Sequence, residues 1–212
     1  MTTLLMIRHG QSVSNLTGVF TGHLNLELTE LGHKQAAITS EFIQQNYTVD
    51  AVYASDLCRA AHTGQAVAEP LGLQLHTDTR LREIYAGTWE GRSFNELTAD
   101  FPAYAVFRGD IGNCVTDGGE SVAQLSQRVL EAVAEIAKNN DGKTVVIATH
   151  ATPIRAVMTH CQGKSLNEMK DVAWVTNASV TEVLYEDGAF RLGKVCQDAH
   201  LGSIVSRFPS NV

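Results

Sequence analysis

Leu4-Leu5-Met6-Ile7-Arg8-His9-Gly10 begins with four apolar residues and ends with a cation, an imidazole and a glycine. The apolar run reads as a short buried strand, and the last three residues stand where that strand gives way to a loop. A second stretch repeats the arrangement. Thr144-Val145-Val146-Ile147-Ala148-Thr149, preceded by Asp141-Gly142, leads directly into His150. Two buried strands that each run into a histidine describe an open α/β sheet with ligand chemistry at the carboxyl ends of its strands.

Strand and helix signals alternate between and beyond these runs. Thr29 caps a predicted helix over Glu30–Asn46, with Leu31, Ile38, Phe42 and Ile43 among its inward residues. Asp50–Ala54 reads as a strand, Leu57–Glu69 as a helix stopped by Pro70 and Gly72, and Leu73–His76 as a third strand. Residues 91–119 are mixed, aromatic and rich in glycine. They predict short helices covering one end of the sheet, with Trp89, Phe94, Phe101, Tyr104 and Phe107 as its packed core. Glu120–Lys138 is amphipathic, with Val122, Leu125, Val129, Val133 and Ile136 on one stripe and Asp117 and Glu120 as its capping pair. Pro153 fits the first turn of a helix reaching about His160, and Asp187-Gly188 marks a hairpin between Ser179–Glu186 and Ala189–Val195. The sum is a three-layer α/β/α sandwich: one domain over residues 1–212, with a mostly parallel sheet and an antiparallel edge hairpin.

Composition narrows the function. A net charge of −7 argues against nucleic acid, whose backbone calls for a basic face. No stretch approaches the ~20 apolar residues of a membrane span, and Met1–Gly10 lacks the basic start of a signal peptide. Cys58, Cys114, Cys161 and Cys196 are scattered without paired spacing, which predicts reduced thiols in a cytoplasmic protein. His23, His33, His62, His76, His160 and His200 share no metal-ligand spacing, so neither a metal site nor a cofactor is expected.

Arg8, His9, Arg59, Glu83 and His150 each fall just beyond a strand or at a helix start. Two arginines, two histidines and one acid converging on a point suit a phosphate group. The guanidinium forks match its oxygens, and a neutral imidazole can attack phosphorus. A protonated Glu83 can supply the departing oxygen with a proton and then deprotonate water.

The ordered motifs RHGQSVSN (Arg8–Asn15), FTGHLNLELTELG (Phe20–Gly32), ASDLCRAAHT (Ala54–Thr63), LREIYAGTWEG (Leu81–Gly91), GGES (Gly118–Ser121) and ATHATPIRA (Ala148–Ala156) closely resemble the histidine phosphatase superfamily. That superfamily includes the cofactor-dependent phosphoglycerate mutases and many small phosphatases. The resemblance implies that His9 is the phosphorylated nucleophile, that Arg8, Arg59, His150 and Asn15 hold the phosphoryl group, and that Glu83 is the proton donor. Ser12, Thr21, Gly22 and Tyr85 are the expected pocket-lining groups, and Arg155 an expected structural or rim residue. Ala151 stands where the family usually has glycine, which strains the chain if φ is positive there and otherwise tightens the pocket. The segment after Glu83 looks like the small-phosphatase branch, because the basic residues with which mutases hold a second phosphate are not evident. A metal-independent phosphomonoesterase acting on a small-molecule phosphate ester is therefore expected. A 2,3-bisphosphoglycerate-dependent phosphoglycerate mutase is the alternative, and a non-catalytic phospho-ligand binder a more distant one. The resemblance also makes a homodimer the expected assembly.

Overall fold

The structure is a computed structural model that describes residues 1–206. Over these residues β1 (Thr2–Arg8), β2 (Ala51–Ala54), β3 (Leu75–Thr77), β4 (Thr144–Thr149), β5 (Val180–Glu186) and β6 (Ala189–Leu192) form one sheet in the order β3-β2-β4-β1-β5-β6. The first four in that order are mutually parallel; β5 runs antiparallel to β1, and β6 antiparallel to β5. Asp187 and Gly188 close the β5–β6 hairpin with φ of 52° and 83°, the pair of positive values that a tight hairpin turn requires.

Alternation along the buried strands divides the core in two. Leu4, Met6, Val145, Ile147 and Val183 face the layer built from α6 (Val122–Asn139) and α7 (Ala151–Cys161). Leu5, Ile7, Val52, Val146 and Val180 face α2 (Glu30–Asn46) and α3 (Cys58–Ala68) through Ile43, Val67 and Ala68. The short helices α1 (Val13–Thr17), α4 (Phe94–Asp100) and α5 (Pro102–Gly109) complete the chain. Phe20, Trp89, Phe94, Tyr104 and Phe107 interlock edge-to-face and stacked beneath α4 and α5, with centroids 5.2–6.4 Å apart. No described helix is long and apolar enough to cross a membrane.

The predicted stripe of α6 is buried as expected, but its cap lies one residue on. Ser121 accepts the Gln124 N–H, and the Gln124 side chain accepts the Ser121 N–H in return. Asp117 instead accepts the Thr88 hydroxyl, and Glu120 pairs with Arg128. The third strand starts two residues late because Gly72, at φ 64°, and Leu73, bonded to the Ala68 carbonyl, still belong to the turn ending α3.

The larger correction concerns α2. Ile43 is buried as expected and Phe42, partly buried, packs against the same core, but Leu31 and Ile38 are only partly buried, and the rest of the buried face consists of Gly32, Gln35, Ala36, Thr39 and Ser40. That polar face docks loops more than it fills core. Gln35 accepts the Gln11 N–H (2.8 Å) and donates to the Ile204 carbonyl (2.7 Å), and Thr39 donates to the Ala178 carbonyl (2.8 Å). Gly10 and Gly32 meet backbone to backbone, and a Cβ on Gly32 would overlap the Gln11 carbonyl. Gly32→Ala is therefore expected to lower stability by about 1–3 kcal/mol through overpacking. A urea-unfolding midpoint equal to that of the parent chain would contradict this close approach.

Candidate active site

The β1–β4 register pairs Ile7 with Ala148 and Arg8 with Thr149, and the His9 N–H donates to the Thr149 carbonyl at 2.9 Å. His9 and His150 thus leave adjacent parallel strands at the same height. Their rings meet edge-on, with centroids 5.2 Å apart.

His9 Nδ1 lies 2.7 Å from the Gly10 carbonyl oxygen. A carbonyl only accepts, so Nδ1 carries the proton and Nε2 keeps its lone pair. Burial, followed by the charges of Arg59 and Arg8, holds the ring well below the ordinary histidine range, which makes it neutral at neutral pH. The same forces, burial first and Arg59 next, hold His150 well below that range. His150 Nε2 is 2.9 Å from Ser55 Oγ, which itself accepts the Leu57 N–H. His150 Nδ1, at the other side of the ring, is buried without a partner.

Arg8 and Arg59 are 2 % and 1 % exposed. Arg8 Nη1 donates to the Val175 carbonyl (2.6 Å), while Arg59, in the first turn of α3, donates to the carbonyls of Leu24 and Gly22 (2.8 Å each). Burial lowers each to about 10, against the opposing pull of Glu83, so both remain cationic at neutral pH. Glu83 Oε1 accepts the Ile84 N–H (2.8 Å), and Oε2 faces the Thr152 N–H in the first turn of α7 (3.3 Å). Its main-chain carbonyl is held by His23 Nε2 and Arg128 Nη2, each at 2.8 Å.

Arg8, His9, Arg59 and Glu83 line one cavity of about 200 Å³, together with Asn15, Thr21, Gly22 and Ala151. Asn15 Oδ1 is occupied by Ser12 and Asn177, so its amide nitrogen is the end left for a ligand. Gly22 has φ 51°, and a side chain there would strike the Glu90 carboxylate. Ala151 is the first helical residue of α7, where φ is negative, so the methyl group narrows the cavity without straining the backbone. His150, expected at the phosphoryl group, is adjacent to His9 and is not among the residues lining the cavity.

Tyr85, expected at the pocket, is also outside it. The inward position goes to Ile84, while Tyr85 is 44 % exposed and tilts against His23 at 5.2 Å. Glu120 and Thr116 bind the Tyr85 backbone and fix that orientation. Phe94 and Phe107, placed by pattern in the covering core, reach the cavity wall as well. Arg155, expected as a structural or rim residue, lines the cavity, and among the other lining residues Thr152, Arg108, Lys170 and Trp174 escaped the sequence reading. So did Asn177, which donates to the His9 carbonyl at 3.0 Å and to Asn15. Among the described residues no group of three or more His, Cys, Asp or Glu is placed to hold a metal ion.

The sequence profile described as "Histidine phosphatase superfamily (branch 1)" matches residues 4–198. The chain belongs to the histidine phosphatase superfamily. It is 31 % identical over 190 residues to phosphoglycerate mutase-like protein 4 of Arabidopsis thaliana, covering 87 % of this chain and 80 % of that one. It is 28 % identical over 207 residues to the metal-independent phosphoserine phosphatase of the same plant, covering 96 % and 85 %. The solved structure of Bacillus stearothermophilus YhfR superposes with a TM-score of 0.90 at 28 % identity, over 95 % of this chain and all of that one. In this member of the superfamily, α7 brings Ala151, Thr152 and Arg155 to the cavity within little more than one turn.

Two imidazoles held neutral inside the fold make stability depend on pH. Unfolded, each takes up a proton below its ordinary pKa of 6.5, while folded it does not. Their contribution is therefore complete above pH 6.5 and declines below it, by up to about 1.4 kcal/mol per pH unit for each ring. Denaturant unfolding between pH 8 and pH 5 is expected to show that decline, with a shallower slope in His9→Asn. A slope identical in the two proteins would mean that His9 is not held neutral.

Proposed function

We propose that the chain is a metal-independent phosphomonoesterase acting through a phosphohistidine at His9 on a small phosphorylated metabolite. The observation that carries this reading is the tautomer of His9: a neutral ring, Nδ1 tied to the Gly10 carbonyl, and Nε2 left as a nucleophile in a cavity shared with two buried arginines and one carboxyl group. Residues 1–212 are taken as one catalytic domain, with the helices around 91–119 as its cover.

In the first step the Nε2 lone pair forms a bond to phosphorus while the bond from phosphorus to the ester oxygen breaks. The carboxylic acid of Glu83 gives its proton to that oxygen, and the alcohol leaves. Nδ1 keeps its proton on the Gly10 carbonyl, which supports the positive ring of the phosphohistidine. In the second step the Glu83 carboxylate removes a proton from water as its oxygen attacks phosphorus, and the P–N electron pair returns to Nε2. Glu83 ends protonated and His9 neutral, as at the start.

Arg8 and Arg59 stabilise the equatorial phosphoryl oxygens, and the Asn15 amide adds a neutral donor. His150, with Nε2 at Ser55 Oγ, keeps Nδ1 unpartnered, the end from which it would support the phosphoryl group held at the adjacent His9. The electrostatic work thus falls to side chains already in place. Phosphoserine, the substrate in one relative's name, is a fitting candidate for this cavity. The mutase alternative finds no support in the segment after Glu83, where Ile84 stands in place of the arginine expected of a glycolytic mutase.

His9→Ala is expected to abolish phosphate release and to eliminate acid-labile phosphate on the protein during turnover. Turnover at the parent rate would remove the nucleophile. Phosphate release should persist in excess EDTA; complete loss, restored by a divalent ion, would overturn the metal-independent mechanism. Glu83→Gln should depress kcat more on an alkyl phosphate than on p-nitrophenyl phosphate, whose phenolate leaves without a proton. Equal losses on both would argue that Glu83 does not protonate the leaving oxygen.

A further inference from the structure

Arg155 is 2 % exposed, lines the cavity, and has one guanidinium nitrogen unsatisfied. Nη2 donates to the carbonyls of Met169 (2.7 Å) and Val172 (2.8 Å), and Nε to Val172 (3.1 Å). Trp174 covers the guanidinium face, its ring centroid 3.9 Å from Cζ. Nη1 is buried with no partner. A buried charged donor without an acceptor is costly, and the residues around Arg155 have already fixed its plane and its direction.

The charge balance of the cavity points the same way. Its lining carries Arg8, Arg59, Arg108, Arg155 and Lys170 against the single acid Glu83. A phosphate monoester brings about two negative charges. Arg8 and Arg59 answer those, since both act electrostatically on His9. All three buried arginines are coupled to Glu83, but Arg155 is not among the charges acting on His9. Arg155, Arg108 and Lys170 are left as surplus positive charge in the cavity.

We infer that Arg155 Nη1, with Lys170 and Arg108, forms a second anion subsite that selects phosphate esters whose leaving alcohol carries a carboxylate. The inference rests on the phosphatase reading and adds to it a residue-level source of specificity. Arg155 supplies a preorganised, desolvated donor, whereas Lys170 and Arg108 are exposed and contribute mainly to capture. The aromatic wall of Phe94, Phe107 and Trp174 contacts the carbon skeleton between the two anions.

The test compares 3-phosphoglycerate with glycerol 3-phosphate, which differ only by carboxylate against hydroxymethyl. The parent enzyme should favour 3-phosphoglycerate at least tenfold in kcat/KM. Arg155→Gln should reduce that ratio tenfold or more, chiefly through KM for the carboxylate ester, and Arg155→Lys should restore part of it. Lys170→Met, outside the core, should reduce the ratio several-fold and serves if Arg155→Gln does not fold. A purely structural Arg155 would lower both substrates together and leave the ratio unchanged, which overturns the subsite. Equal use of both esters by the parent enzyme overturns it as well, while the phosphatase reading stands. Failure to release phosphate from any monoester defeats both.

Discussion

Positive charge is buried at the carboxyl end of this sheet and satisfied by peptide carbonyls. Arg59 donates to Leu24 and Gly22, Arg8 to Val175, and Arg155 to Met169 and Val172. A carbonyl satisfies a donor without cancelling its charge, so each guanidinium is anchored yet keeps its field. These bonds also fold the site. They draw residues 22–24 and 169–175 over the ends of β1 and β4, together with the burial of Met169, Val172 and Val175. The arginines around the rim behave differently. Arg80, Arg82 and Arg128 pair with Asp78, Asp56 and Glu120, and Arg128 also binds the carbonyls of Arg80, Arg82 and Glu83. Neutralised pairs thus build the frame of the acid, and Arg59 and Arg155, held by carbonyls, face the ligand space.

The neutral histidines follow from the same constraint. Two guanidiniums and a desolvated setting make an imidazolium unfavourable at position 9, and the Gly10 carbonyl decides which nitrogen keeps the proton. Ser55 Oγ takes up the Nε2 side of His150. Protonation state and tautomer are therefore set by the fold before a substrate arrives, which is what a nitrogen nucleophile requires.

What could be read in the sequence follows from this division of labour. β1, β4 and α6 were legible because each buries apolar residues with a regular period, and His9 and His150 were legible because they follow two such strands. Arg59 and Glu83 were legible only with the surrounding motifs, since either alone reads as an ordinary surface charge. The buried face of α2 was misread because it is polar: Gln35 and Thr39 face inward to bind loop backbone, and Gly32 is there to let Gln11 pass. Tyr85 was misplaced because alternation beside Glu83 sends Ile84 inward. Asn177, Lys170 and Trp174 had no local signal at all. Their roles exist only after β5 and the loop before it are laid beside β1.

A chain with net charge −7 that concentrates five cations against one acid in one cavity separates its surface from its site. Low-dielectric walls focus the field of those cations through the cavity mouth, in a chain whose net charge is otherwise negative. Under the proposed mechanism the phosphoryl group and the leaving group meet different cations, Arg8 and Arg59 for the first and Arg155 for the second. Such a division orients an ester carrying two anions in one sense only, with phosphorus at Nε2 and the bridging oxygen at Glu83. Orientation of that kind is worth most where the nucleophile is fixed, and His9, held by β1, Gly10 and Asn177, has little freedom to follow a misplaced substrate.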